Sequence, residues 1–369
     1  MSISRRDWLR LSAVGAALPF LPIPGFATHR SDNPIRLHSN ENPYAPAQSA
    51  RTAVVDALNE TNLYAGSAVA QNLEAMIAAR EGLRPEHVVL GAGSTEVLRM
   101  AALAYGLSGG EVVTGYPTYE GMETSAKSIQ ARVHRVPLKS DKSLDLSAMD
   151  MRTTKDVKLV FVCNPNNPTG SICDKEELND FCLEVSKRCT ILVDEAYYEL
   201  VNHPRYSTAV PLVKAGANVI VSRTFSKVYG LAGLRVGYAI ARPDIAERLR
   251  THRTPMAVSI LGLRAAIASL NDERFLHYSK TQLEAGRNQI TAALRGWGHE
   301  VIESHTNFVF FHLGRGIEEF QRSMASQGIL VGRPFPPFLD WCRLSIGNEE
   351  EMARFTEVFP KVMSSSTRY

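Results

Sequence analysis

No apolar run in these 369 residues is long enough to span a bilayer comfortably, and no long block of like charge occurs. A formal net charge of +3 is too small to argue for a nucleic-acid or membrane-surface partner. Cysteine is scarce: Cys163, Cys173, Cys182, Cys189 and Cys342 are odd in number, and none forms a Cys-x-x-Cys pair. They are read as small, reduced apolar residues, four of them inside core segments, rather than as disulfides or metal ligands. Internal repeats, low-complexity tracts and long linkers are missing too. What remains is an ordinary globular composition, 44% apolar and 21% charged, in a chain long enough for two domains and a sizeable core.

The N-terminus departs from that pattern. Ser4-Arg5-Arg6-Asp7-Trp8-Leu9-Arg10 precedes Leu11 to Leu21, an apolar stretch broken only by small residues and Pro19. Gly25-Phe26-Ala27 follows and puts small residues ahead of a cut after Ala27. Residues 1–27 read as a twin-arginine signal peptide, to be left out of fold reasoning. Export to the periplasm is the expectation, with no stable membrane partner beyond the export machinery. An uncleaved anchor and a basic tail on a cytoplasmic protein are the alternatives.

From His29 to Pro46 runs a polar, proline-containing arm. Helix patterns cover about 50–58 and 71–81; Val88-Val89-Leu90 reads as a short buried strand, and Gly91-Ala-Gly-Ser-Thr-Glu96 opens a helix through Tyr105. Apolar runs at 112–114, 132–136, 159–163, 191–194, 219–222 and 236–240 read as strands, with a helix at 175–188. Continuous apolar runs joined by helices predict an α/β fold with a mostly parallel sheet covered on both faces. After about Ala241 the pattern becomes α+β: helices at 243–253, 259–270 and 273–297, a strand at 307–311, a helix at 316–327, a strand at 342–345 and a last helix from Glu349. The expected division is an arm over 28–50 that joins the small domain, a large domain over 51–270 and a small domain over 271–369.

The chemistry is concentrated in a few short runs. Ser222-Arg-Thr-Phe-Ser-Lys-Val-Tyr-Gly-Leu-Ala-Gly-Leu-Arg235 follows a buried strand, so Thr224, Ser226 and Lys227 sit at its C-terminal end, where open α/β sheets bind ligands. Asp194 ends another apolar strand, inside Val193-Asp-Glu-Ala-Tyr197; an ionised carboxylate there is costly without a partner. The bland alternative for Asp194 is a helix cap or a salt bridge. Asn164-Pro-Asn-Asn-Pro-Thr-Gly170 marks a turn on composition alone. Gly93-Ser94-Thr95 opens a helix whose unpaired N–H groups suit a phosphate, although Ser94 and Thr95 would equally serve as caps. Ser226 adds a hydroxyl, and Arg235 a charged fork that a small-residue turn can bring back towards it. Together these runs supply an amine for a Schiff base, a carboxylate for a ring nitrogen, an amide, a phenol and a phosphate cradle. Pyridoxal 5′-phosphate needs that set.

With these motifs the chain resembles the fold-type I aminotransferases of class I/II, nearest to the histidinol-phosphate aminotransferase group, from about Asn33 to near the C-terminus. The resemblance implies a large domain with a seven-stranded sheet beside a smaller α+β domain. It implies a ping-pong transfer of an amino group between an L-amino acid and a 2-oxo acid, and a homodimer. Lys227 would bind the cofactor aldehyde and shuttle the α-proton. Asp194 would face the ring nitrogen, with Tyr197 and Asn167 on the ring oxygen and Tyr119, in Tyr116-Pro-Thr-Tyr119, stacked on the ring. Tyr64 would reach the phosphate of a neighbouring subunit. Arg343, in Trp341-Cys-Arg-Leu-Ser-Ile-Gly347, would grip the substrate carboxylate, with Asn307 lining the same site and Tyr44, in Asn40-Glu-Asn-Pro-Tyr44, facing the substrate. Decarboxylase, racemase or β-lyase chemistry on the same scaffold is the nearest alternative, and a silent binding protein a more distant one.

One run departs from the resemblance. Relatives acting on histidinol phosphate carry an arginine directly after Gly-(Ile/Val)-Leu-Val, to hold the substrate phosphate. Here Gly328-Ile-Leu-Val-Gly332-Arg333-Pro-Phe-Pro-Pro337 places Gly332 at that position and displaces Arg333 by one. On a strand, a one-residue shift turns the side chain to the other face. An amino acid with an apolar or aromatic side chain is therefore expected in place of histidinol phosphate.

Overall fold

The computed structural model describes residues 34–44 and 46–365. The expected signal segment lies outside the described residues, as does the arm before Pro34. A first short strand, β1 (Ile35–Leu37), comes from the arm. Then β2 (Val88–Gly91), β3 (Glu111–Tyr116), β4 (Val133–Pro137), β5 (Val157–Cys163), β6 (Thr190–Asp194), β7 (Val219–Thr224) and β8 (Gly237–Ala241) form one seven-stranded sheet in the order β2-β8-β7-β6-β5-β3-β4. Neighbours from β7 through β4 run parallel, and β8 runs antiparallel to both β7 and β2. The expected mostly parallel sheet is present. Three later strands, β9 (Phe308–His312), β10 (Ile329–Val331) and β11 (Trp341–Ser345), stand apart from it: β11 pairs antiparallel with β9, and β10 pairs parallel with β1.

The helices are α1 (Gln48–Asp56), α2 (Ser67–Arg80), α3 (Ser94–Gly106), α4 (Gly121–Ser128), α5 (Leu146–Arg152), α6 (Lys175–Val185), α7 (Val210–Lys214), α8 (Pro243–Arg250), α9 (Ile260–Leu270), α10 (Glu273–Gly296), α11 (Ile317–Ser326) and α12 (Glu349–Ser365). Several begin where a side chain satisfies an orphan N–H. Asp174 accepts from Glu176 N at 2.9 Å to start α6, Ser259 from Gly262 N at 3.1 Å to start α9, and Asp272 from Phe275 N at 2.9 Å to start α10. The sequence reading missed α4, α5 and α7 because each is short. It also read β1 as part of a polar arm, since three residues paired to a distant strand leave no local period.

Successive residues of the central strands enter different cores, as the two-residue repeat of a strand requires. Leu192 of β6 packs with Val89, Phe161, Ile220 and Ala239 against α3, α4 and α8. Its neighbours Ile191 and Val193 pack with Val160, Val162, Val219 and Val221 against α5, α6 and α7. With both faces covered, polar groups at the carboxyl ends of β5, β6 and β7 are held in a dry, fixed setting.

Arg223 of β7 is an exception within that core. It is 1% exposed, and its three nitrogens are all engaged: Nε donates to Glu195 Oε2 at 3.0 Å, Nη1 to Glu81 Oε1 at 2.6 Å and Nη2 to Thr208 Oγ1 at 2.8 Å. The guanidinium also lies 3.5 Å over the Tyr198 ring. Removing one member of a buried pair strands the other's charge. Arg223→Met should therefore lower stability by about 3–5 kcal/mol, read as a fall in the urea midpoint; an unchanged midpoint would show that Glu195 finds another partner.

Candidate active site

The carboxyl ends of β5, β6 and β7 open into a cavity of about 600 Å³. Asp194 closes β6, Thr224 closes β7, and Ser226 and Lys227 follow it. The turn after β5 brings in Asn167, the loop after β3 brings Tyr119, and the first turn of α3 brings Ser94 and Thr95. Tyr197, Arg235 and Arg343 complete the set, so eleven of the fourteen residues singled out from sequence line one space.

The other three do not line it. Asn307 is fully buried behind the wall, where its amide donates to Asn40 O at 3.0 Å and Glu41 O at 3.2 Å. These contacts support the arm. Tyr44 packs edge-on against Tyr278, with ring centres 5.8 Å apart. Tyr64 is 83% exposed.

Among the three asparagines of the turn, only one side chain faces the cavity. Asn164 accepts from Cys173 N at 2.9 Å, and Asn166 is held by Thr118 at 2.6 Å and Thr169 at 3.0 Å. Asn167 instead accepts from Arg343 Nη1 at 2.7 Å, which leaves its amide nitrogen facing the cavity. Arg343 sits in the middle of β11, donates its other terminal nitrogen to His38 O, and keeps a buried Nε with no partner. Burial brings its guanidinium down to about 10.

Burial also sets the two central titrations. It lowers the Lys227 amine to about 8, helped by the positive charge of Arg343. It raises the Asp194 carboxyl to about 7. Asp194 Oδ1 is buried with no hydrogen-bond partner. A ring N–H would satisfy it.

The opposite end of the cavity suits a phosphate. Gly93 has φ +77°, and a Cβ there would lie 2.2 Å from Arg235 Nη2, so only glycine lets the guanidinium approach the start of α3. No side chain caps that helix, and its first N–H groups face the ligand side with a favourable dipole. Arg235 Nη1 lies 3.4 Å from Ser226 Oγ, which lies 2.9 Å from Thr224 Oγ1. The orphan carboxylate and the anion cradle fit pyridoxal 5′-phosphate at both ends.

Sequence reasoning missed Asn40. Its backbone is left-handed at φ +54°, a conformation asparagine tolerates better than most. Its carbonyl accepts from Lys227 Nζ at 3.2 Å, its Nδ2 donates to Tyr197 Oη at 3.1 Å, and Ser345 Oγ contacts both its N–H and its Oδ1, at 2.8 and 2.9 Å. The Asn40-Glu-Asn-Pro motif was the available signal. Arg333 is a correction: β10 ends at Val331, so strand alternation no longer governs it, and its side chain lines the cavity.

A cavity with a lysine, an orphan carboxylate and an anion cradle at the carboxyl edge of such a sheet defines a pyridoxal-phosphate enzyme of fold type I. The sequence matches aminotransferase class I and II over residues 32–359, and the chain belongs to that family. It is 35% identical to a histidinol-phosphate aminotransferase from Moorella thermoacetica, over 89% of this chain and 86% of that protein. It is 38% identical to an aromatic amino acid aminotransferase from Thermobifida fusca, over 88% of this chain and 90% of the other. The histidinol-phosphate aminotransferase of Sinorhizobium meliloti, solved in complex with pyridoxal-5′-phosphate, superposes with a TM-score of 0.84 at 27% identity, over 96% of this chain and all of that one. The protein is thus a pyridoxal-phosphate-dependent aminotransferase.

The depressed Lys227 titration has a sign that can be checked. Unfolded, the amine holds its proton up to about pH 10.5; folded, only to about 8. Burial of the charged amine therefore opposes folding fully below pH 8, and this penalty disappears by pH 10.5. Lys227→Met apoprotein should be more stable than wild-type apoprotein at pH 7, with the gap closing towards pH 10.5. Urea unfolding of both at the two pH values reads it; a gap independent of pH would refute the desolvated amine.

Proposed function

We propose that this aminotransferase exchanges the amino group of L-amino acids with aromatic or apolar side chains, using 2-oxo acids as acceptors. The observation that carries the reading is the charge layout of the cavity. One deep cation, Arg343, has an unpartnered Nε, while the outer cation, Arg333, is already paired with Glu120 at 2.8 Å. Gly332 stands where the resemblance to enzymes of histidinol phosphate calls for an arginine, and a Cβ there would lie 2.4 Å from the Arg343 carbonyl oxygen. Phe335 and Tyr119 supply apolar wall.

Bound pyridoxal 5′-phosphate supplies an electron sink for the carbanion left when the Cα–H bond breaks. The protein does the rest. Asp194 would accept from the ring nitrogen, a positive partner that would favour its own ionisation. Tyr197 and Asn167 would hold the polar edge of the ring, and Tyr119 would cover its face. Ser94, Thr95, Thr224, Ser226 and Arg235 hold the phosphate. Arg343 would grip the α-carboxylate and so fix the orientation of the bonds at Cα. Lys227, whose buried amine is neutral above about pH 8, would serve as the base that takes the substrate's α-proton.

A donor–acceptor screen tests the substrate class: aromatic donors should give the highest kcat/KM, and a preference for histidinol phosphate would overturn the reading. Arg343→Gln removes a charged fork worth roughly 3 kcal/mol. It should raise KM for donor and acceptor on the order of 100-fold; an unaltered KM would place the carboxylate elsewhere.

We propose further that the enzyme is a homodimer exported by the twin-arginine route. Leu58, Leu63 and Tyr64 are exposed along one stretch and would be covered by a second copy, with Tyr64 reaching its phosphate. Folded export suits an enzyme that must acquire its cofactor in the cytosol. Replacing Arg5 and Arg6 by lysine should hold a dimer, as read by sedimentation, in the cytoplasm; periplasmic recovery of that variant would dismiss the signal.

A further inference from the structure

The pair formed by Glu120 and Arg333 has no structural task that its position explains. Its side chains are 57% and 47% exposed, and exposed ion pairs contribute little to stability. Both residues nevertheless line the cavity. Arg333 is held in place by its own surroundings: Nη1 donates to Pro334 O at 2.8 Å, and the guanidinium lies 4.2 Å over the Phe335 ring. Arg343 lies over the same ring at 5.0 Å. Both guanidiniums thus flank one ring of the cavity wall, where Arg333 is open to the side chain of a substrate held at its α-carboxylate by Arg343.

Resting on the reading of Arg343 as the carboxylate fork, we propose that Glu120 determines side-chain specificity by neutralising Arg333 and excluding anionic side chains. Alone, Arg333 would attract a second carboxylate or a phosphate on the substrate. Glu120 occupies its Nη2 and presents a like charge to any anion that approaches. Specificity is a difference between affinities, and a repulsive group against the wrong partner is enough to produce it. An uncharged or aromatic side chain meets a neutral pair and the Phe335 ring, and loses nothing. Glu120 precedes α4, and its backbone carbonyl accepts from Thr124 N at 2.8 Å; the isosteric amide preserves that contact.

The test uses unreactive acids on the holoenzyme, glutarate as the dicarboxylate and 3-phenylpropionate as the aromatic monocarboxylate, with dissociation constants from calorimetry. Wild type should bind 3-phenylpropionate more tightly than glutarate. Glu120→Gln should shift the ratio of the two constants towards glutarate on the order of tenfold, and adding Arg333→Gln should erase that shift. The ratio of kcat/KM values for acidic against aromatic donors should move the same way. An unshifted ratio in Glu120→Gln, or a shift that survives loss of Arg333, overturns the inference, as does a wild type that already prefers glutarate. Failure of the underlying reading looks different: 3-phenylpropionate would then bind Arg343→Gln as tightly as wild type.

Discussion

Asn40 is the residue on which the rest of the site depends. Its left-handed turn lets one amino acid face in three directions. The carbonyl meets the lysine that follows β7 and the Asn307 amide at the start of β9, the side-chain amide meets the Tyr197 hydroxyl that follows β6, and Ser345 of β11 clamps both N–H and Oδ1. Arg343 lies two residues from Ser345 on the same strand. The spacing between the proton carrier and the carboxylate fork is therefore fixed through the arm. Transfer of a proton within one bound substrate depends on that spacing, because positioning supplies much of the rate.

Two buried arginines show how the same chemistry is used for structure and for binding. Every nitrogen of Arg223 has a partner, and two carboxylates answer its charge. Arg343 is comparably buried, yet its Nε has no partner, and its terminal nitrogens meet neutral oxygens of Asn167 and His38. Its charge is uncompensated. Asp194 repeats the pattern with opposite sign, an orphan acceptor held up at about 7 by burial. Unsatisfied groups of both signs inside one cavity store free energy that a ligand with a carboxylate and a ring nitrogen releases. The fully satisfied network around Arg223, adjoining Thr224 and containing Glu195 beside Asp194, keeps the strand ends rigid while those groups wait.

Much of this was legible from residue order because the relevant groups sit at the ends of strongly apolar strands. Asp194 and Lys227 are polar residues at places where a buried run stops, and the sheet that brings them together was predictable from those runs. The phosphate cradle was legible for the same reason: Gly93 follows β2, and Ser94 and Thr95 open the helix after it. What was not legible depended on contacts between distant segments. Asn40 acts through partners 157 to 305 residues away, and no local pattern reports such pairings. Asn307 was expected to line the cavity and instead supports Asn40, since a motif specifies a neighbourhood without specifying which way an amide turns. Arg333 was read by strand alternation, which holds only while the strand continues, and β10 stops two residues short of it.

The ending of β10 explains more than one side chain. Gly332 donates to the Arg343 carbonyl at 3.0 Å, and its Cα approaches that carbonyl too closely for any larger residue. An arginine at this position would push the chain away from β11 and loosen the backbone that carries the carboxylate fork. Just beyond this glycine, Arg333 and Arg343 share the Phe335 ring. Arg333 stands at the cavity mouth, within reach of Glu120 from the loop after β3. A carboxylate in that loop answers the charge of Arg333, whereas Arg235 and Arg343, in the same cavity, meet only neutral oxygens.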